Sequence, residues 1–294
     1  MNWNTYIEEM AKILLSIGCL LALSACVFTS PTHAPWQELF REDFQGDIRL
    51  TEGQKKYFDD IANGIKPSTG LVDTTTRWRR NLEGFVEIPY LFNPAAGFSK
   101  WKSKFCVTKI NFWFADQQQI TFMLTQMQWI EDKTCLRFVE RTFQIDWLDI
   151  INGSGCWSWL GRVGGRQELS MIRPGCFWGG MFAHEMMHAI GFDHMHNHID
   201  RDEYVEIFWD NIHPAQHSQF SRILDESRFV NFGTTYDFRS ALHYPRWAFA
   251  TSSGLDAILP HDRSYSNVIG SNTMSEISDG DAMRINRMHE CILS

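Results

Sequence analysis

The sequence predicts a mixed fold in which strands and helices alternate. Strand-like stretches at residues 84–90, 136–140 and 168–172 are interleaved with helical patterns at 115–133 and 184–191. The chain has 294 residues, 44% of them hydrophobic, enough to bury a large core in one main domain. The net charge is −8 and no basic block of any length occurs, which argues against a nucleic-acid partner.

In chain order, residues 1–34 read as a signal peptide or signal anchor. The apolar run 13–28 is short for a membrane span and ends among small residues, with cleavage about Ala25 or Ala34. Leu23-Ser24-Ala25-Cys26 also resembles a lipobox, in which Cys26 would carry lipid. Residues 35–70 are polar, with a short helix expected at 52–61, and read as a pro-segment whose end falls between 66 and 80. The main domain is expected over 71–294. It opens with the strand at 84–90. Residues 102–114, basic and then aromatic, read as an insertion carrying Cys106. In 115–133, Ile120, Met123, Leu124, Met127 and Ile130 recur at helical spacing, whereas 136–140 alternates as a strand does. Residues 153–159 and 161–165 are turn-rich and precede the strand at 168–172, and an edge strand here would pair with an extended peptide. Asn152-Gly153-Ser154 is a glycosylation sequon.

Seven cysteines are present, and loss of the leader removes Cys19 and Cys26. Of Cys106, Cys135, Cys156, Cys176 and Cys291, an oxidising compartment would pair four, but spacing alone does not choose the pairs.

The chemistry concentrates in His184-Glu185-Met186-Met187-His188-Ala189-Ile190-Gly191-Phe192-Asp193-His194. On a helix, His184 and His188 stand one turn apart on one face, where two imidazoles can hold a zinc ion while Glu185 points at its water. Gly191 suits a helix end with positive φ, so the chain can turn and bring His194 back as a third ligand. Three imidazoles leave a fourth position for water, whose pKa zinc lowers from about 15.7 towards about 7. A chance surface helix explains a bare HExxH pair, but not the glycine and third histidine at fixed offsets as well. Further on, Tyr244 in Ser240-Ala241-Leu242-His243-Tyr244 could bring a hydroxyl to the metal, although most tyrosines only pack.

Residues 184–205, from the histidine motif through Asp200-Arg201-Asp202-Glu203-Tyr204-Val205, resemble the astacin family of zinc metalloendopeptidases. Phe44-Gln45-Gly46-Asp47 is similar to that family's FxGD pro-segment, 153–159 to its SGxGCxS turn, 161–170 to its edge-strand region, and 240–244 to its SxMHY turn. The resemblance implies a metzincin fold, α+β or α/β, in two lobes: a twisted N-terminal sheet with two helices, and a mostly irregular C-terminal lobe from about Gly191. It implies His184, His188 and His194 as ligands of one Zn2+, Glu185 as general base, Tyr244 as a displaceable ligand, Asp47 as the zymogen switch, and disulfides Cys135–Cys291 and Cys156–Cys176. The function implied is a secreted endopeptidase, made as a zymogen and acting on protein or peptide substrates. A membrane association is expected only if the leader is retained or Cys26 lipidated.

Departures from the family pattern motivate the alternative of an inactive homologue that binds without cutting. Leu242 stands in place of the Met-turn methionine, and Met195 in place of a glutamate that would meet the new N-terminus after activation. The usual arginine before that terminus is missing, so Arg77, Arg79 and Arg80 are candidate cleavage sites. His196 adds an imidazole expected at the surface.

Overall fold

Strands β1 (Phe44–Gln45), β2 (Ile48–Arg49), β3 (Val86–Phe92), β4 (Leu136–Glu140), β5 (Trp147–Ile151), β6 (Cys156–Trp159) and β7 (Arg166–Met171) form one sheet in the order β1-β2-β6-β7-β5-β3-β4. The computed structural model describes residues 44–45, 47–56, 76–95, 98, 107–222, 232–270 and 276–291. The expected leader at 1–34, Cys106 and the remainder of the pro-segment lie outside them.

Strands β4, β3, β5 and β7 run parallel, and β6 closes against β7 antiparallel. The parallel strands are covered by two helices, α1 (Val107–Lys133) and α2 (Met181–Ile190). Ile88, Leu148, Ile150 and Leu169 of the sheet meet Ile120, Met123, Met127 and Ile130 of α1 and the apolar residues of α2 in one core. Both helices lie on the one apolar face, whereas the opposite face carries Glu87, Arg137, Asp149, Arg166 and Glu168. All ten residues of α2 are buried, so its polar side chains can sit only where other groups receive them. Its N-terminus has no cap of its own. Gln126 of α1 supplies one instead, accepting from Ala183 N at 2.8 Å and donating to Gly179 O at 3.0 Å.

Beyond Gly191 the chain is mostly irregular. A short ribbon of β8 (Val205–Ile207) and β9 (Ile258–Pro260) anchors a second apolar cluster that includes Ile212, Phe220, Tyr236 and Tyr244. The last helix, α3 (Asp279–Met288), packs back on the first core through Ala282, Ile285 and Met288. The two-lobed α+β arrangement expected of the sequence is therefore the one observed.

Several elements differ from expectation, and β5, β8, β9 and α3 were not expected at all. Helix α1 begins at Val107, inside the stretch read as an insertion, of which residues 102–106 lie outside the described residues. Residues 156–159, read as turn, form a strand. That strand, and not the expected stretch 161–170, carries β1 and β2, because β7 already has β5 and β6 on its two sides. The glycines and serines around Cys-Trp-Ser-Trp hide a short alternation that packing completes. The helix expected at 52–61 is present over residues 52–56 and is not described further.

Disulfides join Cys135 to Cys291, 156 residues apart, and Cys156 to Cys176. The first ties the end of α1 to the end of α3 and closes most of the domain into one loop. Replacing Cys135 and Cys291 together by serine should lower unfolding stability by about 2–5 kcal/mol, read as a fall in the urea midpoint, and a midpoint unchanged from the parent would remove this crosslink from the stability account.

Candidate metal centre

Helix α2 presents His184 and His188 on one face, their rings 4.7 Å apart and nearly perpendicular. Gly191 ends the helix at φ +127°, a conformation that other residues rarely adopt, and a Cβ there would meet Met288 Cε at 2.9 Å. Its N–H donates to His188 O at 2.9 Å, and the chain reverses so that the His194 ring lies 4.6 Å from that of His188. The fourth group comes from the other end of the sequence. Asp47, just ahead of β2, places Oδ2 2.9 Å from His184 Nε2 and Oδ1 3.0 Å from His194 Nε2 and 3.6 Å from His188 Nε2. The His184 and His188 Nε2 atoms are 3.1 Å apart. All four groups are buried, and their ligand atoms lie within 4.8 Å of one another.

These residues fit a zinc ion. A tetrahedral site with bonds of about 2.0–2.1 Å has ligand atoms roughly 3.3 Å apart, which is the spacing found between these atoms. His184 Nδ1 faces Ala241 O and His188 Nδ1 faces Phe192 O, each at 2.7 Å. Donation from Nδ1 to a carbonyl fixes the tautomer and turns the Nε2 lone pair inward, as a metal ligand requires. His194 Nε2 and Asp47 Oδ1, 3.0 Å apart, form no aligned hydrogen bond with each other or with any other described group although both are buried, and neither do the two oxygens of Glu185. Buried polar atoms are rarely left so unless something else is meant to meet them.

The electrostatics follow from this crowding. Burial alone would raise the Asp47 carboxyl, but the imidazoles of His194, His184 and His188 around it outweigh burial and hold it well below the usual range. Burial and the Asp47 charge together raise Glu185 well above its ordinary value. Burial lowers His194 to about 4. Asp193, which sequence reasoning did not single out, is pushed to about 7 by burial, against a hydrogen bond from the His194 N–H.

Tyr244 is buried with its ring 4.4 Å from that of His194. His196, expected at the surface, is fully buried instead. It stacks on Tyr244 at 4.0 Å and its Nε2 meets Gln219 O at 3.0 Å, so the aromatic C-terminal lobe claims it as a packing group. Leu242 belongs to the first core, and its carbonyl accepts from Met195 N at 3.0 Å. Met195 is buried too, its sulfur 3.6 Å from Arg284 Nη1. Arg284 in turn pairs with Asp281, whose oxygens accept from Ser240 Oγ and Ala241 N, each at 2.8 Å. Asp281 therefore holds Ser240, whose Oγ accepts from Leu242 N at 3.1 Å and so fixes the peptide whose carbonyl orients His184. The only trace of this in the sequence is Ser278-Asp279-Gly280-Asp281, a capping box for α3.

Comparison with known proteins agrees with the geometry. The family model described as Astacin, a peptidase family, matches residues 96–290. The zinc metalloproteinase nas-6 of Caenorhabditis elegans is 33% identical over 261 residues, 88% of this chain and 66% of that protein. High choriolytic enzyme 1 of Oryzias latipes is 35% identical over 73% of this chain and 70% of its own length. The astacin-like metalloendopeptidase of Coturnix japonica is 33% identical over 73% of this chain and 46% of its own. The chain thus spans about half to two thirds of the length of these relatives. Among solved structures, high choriolytic enzyme 1, described as a hatching enzyme zinc-protease, superposes with a TM-score of 0.62 at 34% identity, over 75% of this chain and 97% of that one.

Removing the Ser240 hydroxyl should loosen the Ala241 carbonyl and with it His184. Ser240→Ala is expected to weaken zinc binding by about 10–100-fold in competition with a chelator, at little change in far-ultraviolet circular dichroism. Unaltered affinity would separate this network from the ligand.

Proposed function

This chain belongs to the astacin family of peptidases, and on that premise we propose that it is a secreted zinc endopeptidase made as a zymogen. The observation that carries the reading is the convergence of His184, His188, His194 and Asp47, with Glu185 buried and unpartnered beside them. His184, His188 and His194 would hold the metal. When bound, zinc supplies a Lewis acid and makes a water acidic near neutral pH. Glu185 takes the proton as the water oxygen adds to the peptide carbonyl carbon, and delivers it to the amine nitrogen as the C–N bond breaks. Its raised proton affinity suits this, and removing Asp47 withdraws one of the two causes that raise it. The Tyr244 hydroxyl donates to the oxyanion.

Asp47 supports the zymogen reading. As a carboxylate delivered by the chain itself, it takes the position a fourth ligand would have. Ser158 N donates to Asp47 O at 3.0 Å and Leu160 N to Arg49 O at 3.3 Å, so this segment also covers the exposed edge of β6 where an extended peptide would add. Secretion is supported by the leader read at 1–34 and by the two disulfides. Among the described residues no helix is long and apolar enough to cross a membrane. Protein or peptide substrates follow from the family.

Metal analysis of the secreted chain beside cleavage of a quenched casein-type substrate tests the reading. About one zinc per chain and chelator-sensitive cleavage after limited proteolysis of the pro-segment are expected, and zinc without cleavage would favour a binding homologue. Glu185→Gln should keep the metal and lose nearly all turnover, so substantial residual activity would remove Glu185 from its role. Asp47→Ala should give the uncut chain a part of the cut chain's activity, since residues 48–50 still lie on the β6 edge; if that variant stays as silent as the parent, Asp47 is not the switch.

A further inference from the structure

Two residues beyond Asp47, Arg49 enters a slot on the sheet surface. Arg49 pairs with Trp159 across the β2–β6 ladder, so their side chains share a face, and Trp157 lies on that face two residues back. The guanidinium carbon stands 4.6 Å from the Trp159 ring centroid and 5.2 Å from that of Trp157. Both lie within the range of a cation–π contact. Glu168 of β7 closes the third side, its Oε2 3.8 Å from Arg49 Nη1. The other Glu168 oxygen is 3.0 Å from Arg166, which also pairs with Asp149. Two carboxylates against one resident guanidinium leave the slot a net −1 before Arg49 arrives.

We propose that Trp157, Trp159 and Glu168 form a substrate subsite selective for a cationic side chain, with Arg49 as its occupant while the pro-segment is in place. This rests on the peptidase reading above and names the substrate class for it. The backbone of residues 47–49 is held by the β6 edge with Asp47 at the metal ligands. A substrate held along the same edge, with its reacting carbonyl where Asp47 now stands, sets the side chain two positions away between the two indoles. Planar stacking favours arginine over lysine, and the net charge of the slot disfavours glutamate.

The full-length chain provides the first test. The Ser158 and Leu160 amides donate to the segment around Arg49, so their hydrogen exchange reports its release. Arg49→Leu should speed their exchange about tenfold and Arg49→Glu further, with Arg49→Lys close to the parent. The Arg-to-Leu difference should shrink when Glu168→Gln or Trp159→Ala is also present. In the second test, the proteolytically activated chain is given quenched peptides that differ only by Arg, Lys, Leu or Glu at positions flanking the cleaved bond. At one of them Arg should exceed Leu about tenfold in kcat/KM, and Glu168→Gln should erase most of that ratio. Equal exchange in the parent and in Arg49→Leu, with cleavage indifferent to the cation, would overturn the subsite and leave the peptidase intact. Exchange that ranks as expected in a zinc-loaded chain that cuts no peptide would overturn the peptidase reading instead.

Discussion

The structure depends on keeping five titratable groups, Asp47, His184, Glu185, His188 and His194, buried in one space. Burying such groups costs several kcal/mol each unless they meet a partner. A helix that is apolar at all its remaining positions provides the room, because α2 is enclosed on all sides and its two histidines and glutamate have nowhere to turn but the centre. The imidazoles are stiffened from behind by main-chain carbonyls of residues 192 and 241, which belong to the lobe beyond Gly191. Assembly of the centre is therefore inseparable from the docking of the two halves. Gly161 N donating to His188 O at 2.8 Å adds the sheet to the same network.

On the zymogen reading proposed above, Asp47 obeys the same constraint. A free carboxylate would bind such a site weakly, but one tethered to β2 is present at high effective concentration. Its affinity is spread over elements that have nothing to do with the metal. Ile48 and Leu50 pack against Leu160, Gln54 donates to Leu160 O at 3.0 Å, and Arg49 lies against two tryptophans. On that reading, release of Asp47 requires lifting a whole segment from the β6 edge, and cutting the chain is a better trigger than any change at the centre itself.

Much of this was legible in the sequence where the signal was local. The spacing of His184, His188, Gly191 and His194 is dictated by helix geometry and one turn, and residues 136–140 alternate cleanly enough to give β4 to the residue. What escaped was set by distant partners. Cys156–Trp159 is a strand only because β7 and β2 flank it. His196 is an ordinary imidazole in the sequence, and its burial comes from Tyr244 and Phe220, far along the chain. Asp281 acts on His184 through a hydroxyl and a peptide 40 residues away, a relation that no periodicity encodes.

The region just before β3 limits where the chain can be opened. Arg77 Nη1 donates to Met288 O at 2.7 Å, Trp78 Nε1 to Ala189 O at 2.9 Å, and Arg80 to the carbonyls of His289 and Glu290. These contacts cap the C-terminal end of α3 with cations and tie it to the last turn of α2. A protease that reads arginine needs the side chain free and the backbone extended. The side chains of Arg77 and Arg80 are engaged, the Arg80 backbone is already bridged to Val86, and the Arg79 carbonyl accepts from Glu87 N at 3.3 Å. Cleavage at any of them would also cut the anchor of the helix that carries His184 and His188. On the zymogen reading, an opening that frees Asp47 without loosening the centre falls upstream of Thr76, on the far side of this clamp.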